Sequence, residues 1–232
     1  MSRASFLIVL ASWLFLVTPS LASELMYVFF PSTTRAKVMQ EKITALCPEV
    51  SVVVFGRQRD FSKSLISDPP NFVLAPGLVT NSITQYQTVL KALRGNFTDQ
   101  DYFLVSVNAA IPIKTLSGKR VGAVDLLDAR RMNKFLNDKL NAKLRVKRVT
   151  KVEDLLPLIT FNVVDAIFVS ETDLEFLRGK TELDLVSQKI SIRLGVATLS
   201  EKQSSSGSRN SISCVANFDS ELNSMFGVQK WK

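Results

Sequence analysis

Histidine is absent from all 232 residues of this chain. Without it, neither a Ser-His-Asp nor a Cys-His nucleophilic centre can be assembled, and the commonest metal ligand is gone. No G-x-S-x-G, Walker or G-x-G-x-x-G pattern compensates. Cysteine is almost as scarce: Cys47 and Cys214 stand far apart, and two unclustered thiols make no metal-ligand spacing. Long apolar runs are also missing beyond the N-terminus, so no later segment reaches the roughly 20 residues that a membrane-spanning helix takes. These absences exclude most enzyme classes. They point to a binding protein that is not an enzyme and needs no cofactor or metal.

What is present begins at the N-terminus. Arg3 precedes an apolar run from Phe6 to Val17, and small residues follow around Ser20-Leu21-Ala22. That order is the grammar of a signal peptide, with residues 1–22 removed by cleavage after Ala22 or Ser23. About 210 residues remain, enough for one large domain or two small lobes. The mature chain is expected to be a periplasmic monomer that does not itself span the membrane. Two thiols in an oxidising compartment pair, so a Cys47–Cys214 disulfide is expected to tie the C-terminal segment to the first helix. Basic residues outnumber acidic ones, 29 to 21. Outside the cytoplasm such a surplus meets anionic lipids, acidic partners or anionic solutes, and not nucleic acid.

Short β-rich runs alternate with helical stretches along the rest of the chain. Strands are expected at 25–30, 50–56, 71–77 and 101–108, with helices ending near Cys47, at 61–66 and at 83–93. A second set follows, with strands at 119–125, 144–149 and 165–170. Asp128 is placed to cap a helix whose Met132, Phe135, Leu136 and Leu140 share one face. Thr150 and Glu153 read as a capping box, and Pro157 as a kink in the helix they open. A helix at 171–179, a strand at 190–200, a polar loop at 202–211 and a helix at 218–226 complete the chain. The alternation argues for an α/β fold of two similar units. Residues 23–107 plus 190–232 are read as lobe 1, and 108–189 as lobe 2.

The stretches MYVFFPSTTRAK, PPNFVLAPGLV, LSGKRVGAVD and FNVVDAIFVS follow one another at a spacing that resembles the type 2 periplasmic solute-binding proteins. The likeness is greatest to their phosphate/phosphite/phosphonate-binding group and covers about residues 25–228. It implies a two-lobe periplasmic-binding-protein-like fold, each lobe a small mixed sheet flanked by helices, with a cleft that closes by hinge motion. It also implies capture of a small polar or anionic solute for transport, and its presentation to a membrane permease of the ABC type or to a sensor. Ligand contacts are then expected beyond the carboxyl ends of the strands. These are Ser32, Thr33 and Thr34 after the first strand, Arg57 after the second, and Pro76 and Gly77 after the third. In the other lobe they are Asp125, Asp128 and Ala129 after the strand at 119–125, and Ser170 after the strand at 165–170.

One stretch departs from the resembled pattern. Where phosphonate receptors carry a Ser/Thr-rich turn, this chain reads Asp125-Leu126-Leu127-Asp128-Ala129-Arg130. Two carboxylates and two leucines make a poor phosphate cradle. A second reading therefore stays open: an envelope interaction or signalling module of the same fold that docks on a membrane protein and transports no solute. A hydroxyl-lined cleft favours the first reading, and a cleft filled by Leu126, Leu127 or Arg130 favours the second. The basic run Lys139, Lys143, Arg145, Lys147, Arg148 and Lys151 is either a docking patch or a solvated edge that discourages strand pairing.

Overall fold

A computed structural model describes residues 24–32, 34–204 and 209–232. The signal peptide expected over 1–22, Thr33 and the middle of the 202–211 loop lie outside the described residues. The chain opens with β1 (Glu24–Phe29), α1 (Ala36–Leu46), β2 (Val50–Phe55), α2 (Gln58–Ser67), β3 (Phe72–Ala75), α3 (Gly77–Thr80) and β4 (Tyr86–Leu93). It crosses into β5 (Asp99–Val107), β6 (Arg120–Val124), α4 (Ala129–Leu140), β7 (Arg145–Val149), α5 (Leu155–Thr160), β8 (Ala166–Ser170), α6 (Glu171–Arg178) and β9 (Leu185–Gly195). It then returns through β10 (Thr198–Lys202), α7 (Asn210–Ala216), α8 (Ser220–Met225) and β11 (Lys230–Trp231). Two mixed sheets result, ordered β11-β4-β10-β3-β1-β2 and β7-β6-β8-β5-β9.

The apolar strands are buried on both faces, which is why they read as continuous hydrophobic runs. Along β1, Met26 and Val28 enter one core with Met39, Ile43, Phe72 and Phe226. Tyr27 and Phe29, pointing the other way, enter a second core with Phe61 and Val73. This second core continues without a break into lobe 2, through Leu126, Leu127, Met132 and Leu136. Met39 and Ile43 are the buried pair on α1. One turn further on, Cys47 meets Cys214 of α7 in a disulfide, with Cα atoms 5.5 Å apart. The C-terminal segment is thereby fastened to lobe 1, as the redox argument expects.

Three sequence expectations are corrected. Residues 83–93 are not a helix: Tyr86–Leu93 form β4, hydrogen-bonded to β10 on one side and β11 on the other. The helix after β7 starts at Leu155, with no side-chain cap, and Thr150 and Glu153 precede it. Pro157 therefore falls in its first turn, where a missing N–H costs nothing, and the expected kink has no cause. The lobe boundaries also move. β5 and β9 pair from Asp99↔Gly195 to Val107↔Leu185, which puts both whole strands in the second sheet. The crossings therefore lie at 94–98 and 196–197, not at 107–108 and 188–190. They run side by side, with Val196 N–H donating to the Thr98 carbonyl at 3.0 Å and Ala92 N–H to the Ala197 carbonyl at 2.9 Å.

Candidate functional site

The carboxyl ends of β1 and β3 in one lobe and of β6 and β8 in the other face each other across the crossings. β3 delivers Pro76 and Gly77 there. A Cβ on Gly77 would stand 2.8 Å from the Gly195 Cα and carbonyl oxygen, so this close approach admits only glycine. On the opposite wall β8 ends at Ser170, which opens α6 through a reciprocal capping box with Asp173.

Between these walls lies a cavity of about 150 Å³. Lobe 1 lines it with Phe30, Pro76, Met225 and Phe226; lobe 2 adds Tyr102, Leu126 and Phe176. Phe30 and Phe226 pack edge to face with centroids 5.2 Å apart, and Tyr102 stacks on Phe168 at 5.0 Å. The polar lining is Gln100, Ser170, Thr172, Ser224 and Asp173. Asp173 is half-buried and is one of the residues that line this cavity. The Ser170 hydroxyl donates to its Oδ2 at 2.7 Å. Lost hydration pushes the carboxyl above its ordinary range, and the Ser170 hydrogen bonds offset only part of that. The same burial raises the Tyr102 phenol, helped by the nearby Asp173. Among the described residues, no lysine or arginine lines this cavity.

Contacts between the lobes border this cavity. Arg94, just past β4, donates to the Thr172 hydroxyl at 2.7 Å and to Glu175 at 2.5 Å. Gly227, at φ +65°, brings the end of α8 so close to α6 that a Cβ there would meet the Thr172 methyl at 3.2 Å. On the far side Arg131 reaches the Ser82 hydroxyl at 3.4 Å. Leu126 and Leu127, 9% and 4% exposed, wedge between the lobes and line a second cavity of about 270 Å³ with Phe61, Leu65 and Val79. A third, of about 190 Å³, lies at the start of α1. Leu126 and Phe30 each line two of the three, so the cleft is partitioned rather than continuous.

The residues singled out by sequence do not form one constellation. Pro76 and Ser170 line the first cavity; Gly77, next to Pro76 in the chain, is not among its lining residues. Ser32 and Thr34 line the third, where the Ser32 hydroxyl accepts from Thr34 N–H at 3.1 Å, and Thr33 is outside the described residues. Asp125 is engaged by Arg148, whose Nη1 lies 2.8 Å from each carboxylate oxygen. Asp128 caps α4, accepting from Arg131 N–H at 2.8 Å and from its Nε at 2.7 Å. The Arg131 backbone bond, more than the guanidinium, holds the Asp128 carboxyl below the usual range. Arg57 and Ala129 are exposed. Asp173, Gln100 and Tyr102 were not anticipated. The S-x-x-D spacing from Ser170 marks Asp173 as a cap partner, but nothing in sequence says that a cavity faces it. Among the described residues no group of His, Cys, Asp and Glu is arranged to hold a metal ion.

No protein-family model and no curated protein matches this sequence. Solved structures do. XAC2383 from Xanthomonas citri bound to ATP superposes with a TM-score of 0.61 at 11% identity, over 90% of this chain and 91% of that one. The substrate-binding protein of an amino acid ABC transporter gives 0.55 at 12%, over 88% and 92%. The GluR0 ligand-binding core from Nostoc punctiforme in complex with L-glutamate gives 0.56 at 14%, over 88% and 95%. The fold is the two-lobe, type 2 periplasmic-binding-protein fold. A likeness at these identities extends to architecture, and the ligand must be argued from this chain's own cavity.

Proposed function

We propose that this chain is an exported binding protein whose interlobe cavity holds a small ligand with an apolar body and a donating head, an amine or a hydroxyl, against Asp173 and Ser170. The observation that carries this is a half-buried carboxylate facing a mostly apolar cavity with no cationic side chain among its described lining residues. A carboxylate or phosphonate ligand would meet like charge there with nothing to offset it, whereas an ammonium supplies the missing counter-charge. The volume suits about six to eight non-hydrogen atoms, since an apolar cavity of similar size takes benzene. The fold and its structural neighbours support a solute-binding role, and the disulfide fits an oxidising compartment. The mature protein acts as a monomer, performs no chemistry, and presents its closed form to a membrane permease or sensor.

The test is a thermal-shift and calorimetric screen of small amines, alcohols, carboxylates and phosphonates. An amine or alcohol at a hundred times its Kd raises stability by about 2.7 kcal/mol, and Asp173→Asn removes the shift. A shift with phosphonates, or one that survives Asp173→Asn, refutes the assignment. The second reading, a docking module without solute, is favoured by Leu126 and Leu127 occupying the middle of the cleft. It stands if no compound shifts a well-folded sample.

A further inference from the structure

The end of lobe 2 farthest from the interlobe cavity is built from the amino ends of three parallel strands. Backbone hydrogen bonds lay its segments side by side. Gly118 N–H donates to the Lys143 carbonyl at 2.8 Å, Arg145 N–H to the Lys119 carbonyl at 2.9 Å, and Asp165 N–H to the Arg120 carbonyl at 2.8 Å. Of the basic run noted in the sequence, Arg148 is taken by Asp125 and Lys151 lies 3.6 Å from Glu153. Lys139, Lys143, Arg145 and Lys147 are exposed, and no ion pair among the described residues engages them. Lys114 and Lys119 add to the same end. The acids there are few. Asp165 is bound to Arg120 and Asp138 to Lys134, while Glu182 and Asp184 sit before β9, at the opposite edge of the sheet.

Apolar side chains project from the same end. Phe161, at the end of α5, is 75% exposed, Val163 beside it 39%, and Ile113 in the loop before β6 37%. A solvated basic edge has no use for an exposed phenylalanine. A partner with negative charge at its surface and an apolar layer just beneath uses both. We infer that this end of lobe 2 docks on an anionic phospholipid bilayer, with Lys119, Lys143 and Arg145 against headgroups and Phe161 in the interfacial layer. In that pose the interlobe cavity faces away from the bilayer.

The experiment is vesicle co-sedimentation of the chain from residue 23 onward, which contains every described element and lacks the apolar run Phe6–Val17. Vesicles of phosphatidylcholine alone are compared with a three-to-one mixture of phosphatidylcholine and phosphatidylglycerol, at low and high salt. Binding is expected only to the anionic vesicles and weakens with salt. Each cation removed lowers partitioning about five-fold, so Lys119→Gln/Lys143→Gln/Arg145→Gln loses about a hundredfold. Phe161→Ser weakens binding while leaving its salt dependence in place. These positions are partly or fully exposed, so unchanged melting curves establish that the variants fold. Equal binding to both vesicles, no binding, or binding indifferent to the triple substitution overturns the inference; of these, no binding would point to an acidic protein partner.

Discussion

Among the described residues, the Asp173 side chain is met by the Ser170 hydroxyl and N–H and by no ion-pairing cation. Its carboxyl is raised by burial, so folding favours the protonated form. Its stability contribution is therefore greatest at low pH and is lost as pH rises from the unfolded-state value through the raised one. Asp173→Asn is expected to leave the neutral-pH melting temperature unchanged or higher, while abolishing ligand shifts. A protonated amine reverses the preference, because it binds the ionised form, so its affinity should climb as pH rises through the same interval; isothermal calorimetry across pH reads this directly. Gly77 makes a different kind of demand. Gly77→Ala forces a methyl into the Gly195 backbone and should cost about 1–3 kcal/mol in urea denaturation. Asp173 lines the cavity and Gly77 does not, yet only Gly77 was picked out by strand-end reasoning. An acid at the third position of a helix reads as a cap partner whichever way its second oxygen points.

At the scale of elements, period and caps were legible where the chain obeys them. Asp128 was read as a cap and is one, bonded to Arg131 N–H. Asp128→Ala should destabilise by about 1 kcal/mol at neutral pH. Because the folded state depresses this carboxyl, its contribution is complete above the unfolded value and disappears as pH falls through the folded one. The wild-type and alanine curves should therefore converge in strong acid, which equilibrium unfolding across pH measures. β4 misled for a physical reason. Its register against β10 slips between Leu199 and Ser200, which pair with Leu90 and Thr88, so Val89 is left over as a bulge. One extra residue breaks strict alternation and leaves Tyr86, Val89, Leu90 and Leu93 at spacings that imitate a helix. Thr150 and Glu153 misled in the opposite way: the spacing of a capping box was present, but the helix begins at Leu155, four residues beyond the start that a Thr150 cap would set.

Across the whole molecule, the two-lobe plan was legible because each lobe repeats the alternation of strand and helix. The position of the crossings was not, since β5 and β9 look alike from either side until their pairing is known. The disulfide closes a sequence separation of 167 residues that includes all of lobe 2. Cys47→Ser/Cys214→Ser should lose about 2–5 kcal/mol in guanidinium unfolding, because the open chain gains entropy when unfolded. β4 and β10 are antiparallel neighbours, and β5 and β9 are paired at their outer ends, Asp99 to Gly195. Lobe 2 is thus a cassette carried between the arms of a hairpin, with entry and exit one hydrogen bond apart. Plain deletion would uncover the apolar face that Leu126 and Leu127 protect. A graft joined at 98 and 196 would not, so a related lobe bearing a different turn after its first parallel strand can be transplanted with the scaffold and its disulfide untouched. By that route a fold of this kind changes its ligand without re-evolving its frame.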